Sequence, residues 1–155
     1  MAALKQPWTT LCTIMAADTS NLTYRVCSLC DRTLPDSPSD SPCPSCIHRT
    51  SSPGSHRRFR LLLSIATTDR ALIVVCFDRA ARVLFGCSAD EFLQLDPSSA
   101  LKVGQMMVGE ICRITLKPPT NGNAQHLRVV SIEPLRSEFL PVITRLRTIS
   151  ETGTS

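Results

Sequence analysis

The sequence predicts a mainly β fold: a small five-stranded barrel interrupted early by a cysteine-bearing insertion, with helices between its third and fourth strands and an amphipathic helix near the C-terminus. Three observations carry that expectation. Two Cys-x-x-Cys pairs, Cys27-Ser-Leu-Cys30 and Cys43-Pro-Ser-Cys46, are separated by twelve residues. Five stretches of strand length alternate apolar and polar residues or run apolar throughout. Between the third and fourth of them the hydrophobic period becomes helical, and it does so again after Pro134.

The cysteine pairs set the character of the insertion, which spans about residues 27–50. Each pair can curl two thiolates around one face of an ion, and two such pairs make the ligand set of a tetrahedral four-cysteine zinc site, a zinc ribbon. The connector from Asp31 to Pro42 is rich in Pro, Ser and Asp and has one large apolar residue, Leu34, so it cannot close the insertion with a core of its own. Bound zinc contributes on the order of 10 to 16 kcal/mol in small zinc peptides, more than the stability of an average domain. The alternatives are a pair of disulfides or four unrelated buried thiols. Cys27, Cys30, Cys43 and Cys46 together fill the tetrahedron and leave no position for water, so one structural Zn2+ is expected rather than a catalytic ion.

At 155 residues the chain has single-domain length, enough to bury about 70% of its unfolded surface. Residues 1–150 are assigned to that domain and 151–155 to a disordered tail. A formal charge of +4 and an isoelectric point near 8.7 lean mildly toward a polyanionic partner. Cys12, Cys76, Cys87 and Cys112 each sit singly among apolar neighbours, as reduced, packed cysteines do in a reducing compartment. The apolar stretch 11–17 is broken by Thr13 and preceded by a single lysine, which argues against a secretory leader. No apolar run reaches the ~18 residues that span a membrane.

Along the chain, residues 8–16 mix β-branched and aromatic residues and end at the turn cluster Asp18-Thr-Ser-Asn21, which makes the first strand. Residues 22–26 alternate and deliver the chain, extended, into Cys27. Residues 47–57 read as a polar loop in which His48 and His56 are solvated, or serve as spare ligands or phosphate contacts. Residues 58–66 form the second strand, with Phe59, Leu61, Leu63 and Ile65 on the core face and Arg58 and Arg60 on the other. The turn Thr67-Thr-Asp-Arg70 leads to the nearly continuous apolar run 71–77, a strand covered on both faces, and the two strands make a hairpin. Asp78 is expected to cap a helix over 79–85 that Gly86 ends, and Ser88 a second over 89–95 that Asp96-Pro-Ser-Ser99 breaks. A short helix over 100–107 and a turn at Gly109 precede the strand 110–117. The loop 118–124 then returns the chain through the strand 125–132, a second hairpin whose polar positions include Arg113, Lys117 and Arg128. Farther on, Phe139, Val142, Ile143, Leu146 and Ile149 recur at helical spacing from the cap Ser137. They make a helix at about 138–149 whose apolar stripe packs on its own domain or on another subunit.

Five strands with helices between the third and fourth are the order of an oligonucleotide-binding (OB) barrel, and a ribbon inserted after the first strand narrows the choice. The ordered features are Tyr24-Arg-Val-Cys-Ser-Leu-Cys30, Cys43-Pro-Ser-Cys46, Phe59-Arg-Leu-Leu-Leu-Ser64, Asp69, Val75-Cys-Phe-Asp-Arg-Ala-Ala-Arg-Val-Leu-Phe-Gly86 and Ser88-Ala-Asp-Glu-Phe92. Together they resemble the replication factor A C-terminal family, the zinc-ribbon OB domain of the replication protein A large subunit, from about Trp8 to Leu146. The resemblance implies a stand-alone nuclear module of DNA replication or repair that binds single-stranded DNA in the barrel groove. It implies other OB-fold subunits as partners through the C-terminal helix, and neither a membrane nor a small-molecule substrate. Carried over by residue, it makes Cys27, Cys30, Cys43 and Cys46 the zinc ligands, Phe77 the base-stacking aromatic, and Phe139, Val142, Ile143 and Leu146 the face of the assembling helix. Where the better binders of the family carry a tryptophan, four residues before Phe77, this chain has Ile73, and the loop 118–124 holds no aromatic. Stacking is worth about 1 to 3 kcal/mol per base, so binding is expected to be weaker and to lean on Arg58, Arg60, Arg113, Lys117 and Arg128. The alternative is an assembly module of the same fold with little or no DNA binding. An enzyme is not expected, because the histidines lie in polar loops or at a strand start and no nucleophile with a matching base or phosphate-binding glycine motif occurs.

Overall fold

A computed structural model describes residues 6–36, 41–49, 53–95, 99–119 and 126–152. The middle of the ribbon connector, the expected helix break before Ser99, most of the loop after Pro119 with the first residue of the returning strand, and the last three residues lie outside these. In chain order come β1 (Trp8–Asp18), β2 (Thr23–Cys27), β3 (Thr33–Leu34), β4 (Ser55–Ala66), β5 (Ala71–Phe77), α1 (Asp78–Phe85), α2 (Ala89–Leu93), α3 (Ser99–Met107), β6 (Ile111–Lys117), β7 (Leu127–Pro134) and α4 (Val142–Thr152). The strands pair in the order β1-β6-β7-β5-β4-β2-β3, and β1 also pairs with β4. Five of them, β1, β6, β7, β5 and β4, thus form a partial ring. Its pairings are antiparallel except β5 with β7, which is parallel and covers two residue pairs. These are the five expected strands, and β4–β5 and β6–β7 are the expected hairpins.

β1 serves two partners because its register shifts between Ile14 and Ala16: residues 8–13 pair with β6 and residues 13–18 with β4. Such a bulge bends a strand and lets it turn from one neighbour to the next. β4 starts at Ser55, earlier than its apolar pattern begins, because residues 55–59 pair with β2. His56 and Arg57 are therefore strand rather than loop, pairing across the sequence having overridden local polarity. The same edge is extended by β3, where Leu34 lies opposite Arg25.

The inward row of β4 is as the alternation requires, with Phe59, Leu61, Leu63 and Ile65 all buried. Phe59 stacks on Phe85 of α1 with ring centroids 4.1 Å apart, and Phe92 of α2 meets both rings edge-on. Ser88 caps α2 through a full capping box with Glu91. Asp78 does not cap α1: Phe77 holds the cap position. The Asp78 carboxylate instead accepts the Phe59 amide at 2.9 Å and the Arg82 guanidinium at 2.8 Å, tying the helix to β4. α4 starts at Val142, later than the expected 138, because a residue before proline is driven out of the helical region and Leu140 precedes Pro141. The Pro141 carbonyl accepts the amides of Thr144 and Arg145. Val142, Ile143 and Leu146 are buried in the main core and Phe139 packs against it, so the domain itself covers that stripe. No helix among the described residues is long and apolar enough to cross a membrane.

Candidate metal centre and nucleic-acid interface

β2 ends at Cys27, and the chain then reverses tightly. The Cys27 amide donates to the Arg32 carbonyl and the Asp31 amide to the Cys27 carbonyl, both at 2.9 Å. Asp31 takes a left-handed conformation at φ 63, which aspartate tolerates better than most residues. The second pair is held by its own turn, in which the Cys46 and Ile47 amides both donate to the Cys43 carbonyl at 3.1 Å. The two turns bring the sulfurs of Cys27, Cys30, Cys43 and Cys46 within 4.8 Å of one another. Cys30 and Cys43 are 3.8 Å apart, the edge of a tetrahedron with bonds of about 2.3 Å and far beyond the ~2 Å of a disulfide. Four sulfurs so placed can hold one metal ion and leave no position for substrate.

Cys27, Cys43 and Cys46 are buried, and Cys30 lies at the surface. Burial opposes ionisation of Cys27, but the amides of Cys30 and Leu29 and the thiols of Cys46 and Cys30 outweigh it and bring this thiol down to about 7. Burial, then the neighbouring thiols, push Cys46 up to about 12. A divalent ion bound by the four sulfurs would displace their protons.

Arg25 is the member of this centre that sequence reasoning missed. Only 4% exposed, it donates to the carbonyls of Pro35, at 2.7 Å, and Ser41, and to the Ser55 hydroxyl at 3.4 Å. One guanidinium thus ties both ends of the connector to β2 and β4. Leu34, the lone large apolar residue of the connector, packs with Cys27, Cys43 and Cys46. The sole trace of Arg25 in the sequence is its place inside an alternating strand, which does not say that it turns inward.

A basic cleft of about 460 Å³ opens where β5 passes into α1. Phe77 forms part of its wall; the Arg128 guanidinium lies over its ring, 4.8 Å from the centroid, and Tyr24 meets it edge-on at 6.4 Å. Arg58, Arg79 and Arg82 face the same space. Arg58 pairs with Asp31 and Arg82 with Asp78, each at 2.8 Å. His56 also borders the cleft, with its Nδ1 3.1 Å from the Ser28 hydroxyl.

Of the expected contacts, Phe77, Arg58 and Arg128 come together here. Arg60 is the cross-strand partner of Phe77 and Lys117 that of Arg128, so both adjoin the cleft. Arg113 lies farther along β6 and pairs with Glu133 at 3.2 Å. Sequence reasoning missed Arg79 and Arg82, placing them only within a helix, although their spacing of three, directly after Phe77, puts them on one side of it. Ile73 lies opposite Ser64 and is 52% exposed on the strand that carries Phe77. His48 is exposed in the ribbon turn.

A mainly β fold with a partial ring of five strands, a four-cysteine cluster that can hold a metal ion beside it and a basic aromatic cleft defines an OB-like domain. No protein-family model and no curated protein matches the chain. Solved structures do. Yeast RPA bound to ssDNA superposes with a TM-score of 0.62 and 16% identity over 96% of this chain and 86% of that one. A chain of a replication protein A heterotrimer bound to ssDNA gives a TM-score of 0.65 and 17% identity over 95% of this chain. This chain spans 35% of that one's length. At this identity the likeness is one of fold.

Proposed function

We propose that the chain is a zinc-dependent OB-fold module of the replication factor A C-terminal type that binds single-stranded DNA in replication or repair, as a binding protein of the nucleus and not a catalyst. The observation that carries this reading is the pairing of Phe77 with Arg128 inside a cleft of further arginines, on an OB-like sheet whose solved neighbours hold ssDNA. An aromatic ring backed by a guanidinium offers a base both a π face and a cation, and the surrounding arginines meet phosphates. A closed tetrahedron of four thiolates suits a structural zinc ion. Its part is indirect: by closing the ribbon it holds β2 and the start of β4, from which Tyr24 and Arg58 reach the cleft.

The test is fluorescence anisotropy of a labelled oligo-dT with the zinc-loaded chain. Binding should weaken as salt rises, with a slope of about −0.7 per phosphate engaged, and Phe77→Ala should cost about 1 to 3 kcal/mol. Absence of binding at low salt, or indifference to salt, refutes the reading.

A second reading, an assembly module with little DNA binding and OB-fold subunits as partners, is favoured by exposed apolar residues. Ile73 sits on the cleft-bearing strand, Leu140 is 50% exposed just before α4, and Ile149 is 43% exposed on it. Solution mass separates the two. A monomer that binds oligo-dT rejects assembly, whereas an oligomer dispersed by Ile149→Glu that ignores oligo-dT supports it.

A further inference from the structure

The cleft is built for a denser charge than a strand presents along its length. Arg58 and Arg82 are each matched by a carboxylate, whereas Arg79 and Arg128 carry no ion pair among the described residues, so two uncompensated positive charges border one small space. α1 also begins here, since Asp78 and Arg79 are its first residues and no side chain caps it, and a helix start adds a partial positive charge. Along the sheet away from the cleft the charge thins. The outward row of the β4–β5 pair continues from Arg60 and Phe77 to Leu62, Ser64, Val75 and Ile73, and the β1 residue opposite Leu62 is Asp18. Among the described residues, a strand laid along that row would meet no cation of the row beyond Arg60, and Arg60 itself borders the carboxylate of Asp18.

An internal phosphodiester carries one negative charge, whereas a phosphomonoester carries about −1.5 to −2 at neutral pH. From this match we infer that the cleft is a strand-end site: it takes the terminal phosphomonoester of a single strand, with the attached base on Phe77 and Arg128 and the phosphate between Arg79 and Arg128. The inference rests on the reading of this cleft as the nucleic-acid site and adds to it which part of the strand is bound.

Short labelled oligo-dT strands bearing a 5′-phosphate, a 3′-phosphate or only hydroxyl ends, with a circular single strand of oligo-dT as competitor, separate the possibilities on the full chain. One phosphorylated end should bind about tenfold or more tighter than the hydroxyl-ended strand, the return expected of added charge-assisted hydrogen bonds. The circle should compete worst. Arg79 is exposed, so Arg79→Ala leaves the core intact; it should erase the preference for the phosphate while hydroxyl-ended binding falls less. Thymidine monophosphate should displace the strand where thymidine does not, which also extends the site to free nucleotides. Equal affinity for phosphorylated, hydroxyl-ended and circular strands, or equal displacement by thymidine and its monophosphate, overturns the strand-end site and leaves groove binding standing. Failure of every strand to bind overturns both.

Discussion

Gly86 carries two constraints at one atom. It ends α1 at φ 74, with its amide donating to the Arg82 carbonyl at 2.7 Å, and a Cβ there would stand 2.4 Å from the Pro141 Cβ and 3.2 Å from the Ile143 side chain. The left-handed backbone alone costs an L residue about 1 to 2 kcal/mol. Gly86→Ala must also push back the segment that docks α4. Thermal unfolding of this variant should begin about 2 to 4 °C lower for each kcal/mol lost, and hydrogen exchange should show the amides of α4 losing protection before those of the ring. A variant that melts and exchanges like the parent would mean that α4 is not seated on Gly86. The glycine was legible as a helix terminator, because that rule concerns the next few residues. Its contact with Pro141 was not, because nothing local links the two.

The ribbon is the element whose stability comes least from apolar packing. Besides the four-cysteine cluster it has Leu34 among three of those cysteines and the Arg25 clamp. Chelation of zinc should therefore unfold the ribbon while the ring of strands stays protected, and oligo-dT affinity should fall with it. Far-ultraviolet circular dichroism and anisotropy on the same sample check this; full binding without metal would remove zinc from the function. Arg25→Ala strands carbonyls that the guanidinium satisfies, at about 1 to 3 kcal/mol each, so zinc affinity measured against a chromogenic chelator should drop about tenfold or more. An unchanged affinity would make Arg25 a bystander. The cysteine set was readable from spacing alone, since each Cys-x-x-Cys pair is a local turn. β3 was not, because a two-residue strand exists only through its partner, and neither was the late start of α4, where the helical period of Val142, Ile143 and Leu146 masked the break at Pro141.

The scale of the whole molecule is that of the core, and there the solitary cysteines matter. Cys12 and Cys112 face each other across β1 and β6. Burial, reinforced by the charge of neighbouring groups, pushes Cys76 and Cys112 up to about 12 from 9.0. A thiol held above its unfolded value keeps its proton longer in the folded chain, so its contribution to stability is complete below pH 9 and is lost as pH rises toward 12. The thermal midpoint should fall across that interval, and Cys76→Val or Cys112→Val should flatten the fall; parallel curves for parent and variants would show the thiols to be uninvolved. Charge at this scale separates as well, with Arg79 and Arg128 gathered at one cleft and Arg113 spent on Glu133. The sequence by itself determined the four-cysteine set, both hairpins and the inward row of β4, since spacing and period are properties of consecutive residues, which a local turn or a pleat reads directly. Only the tertiary structure decided that Arg128 lies on Phe77, that Arg25 turns inward, and that the stripe of α4 is covered by its own domain. Each of these depends on register between segments far apart in the chain, and register is set when the ring of strands comes together.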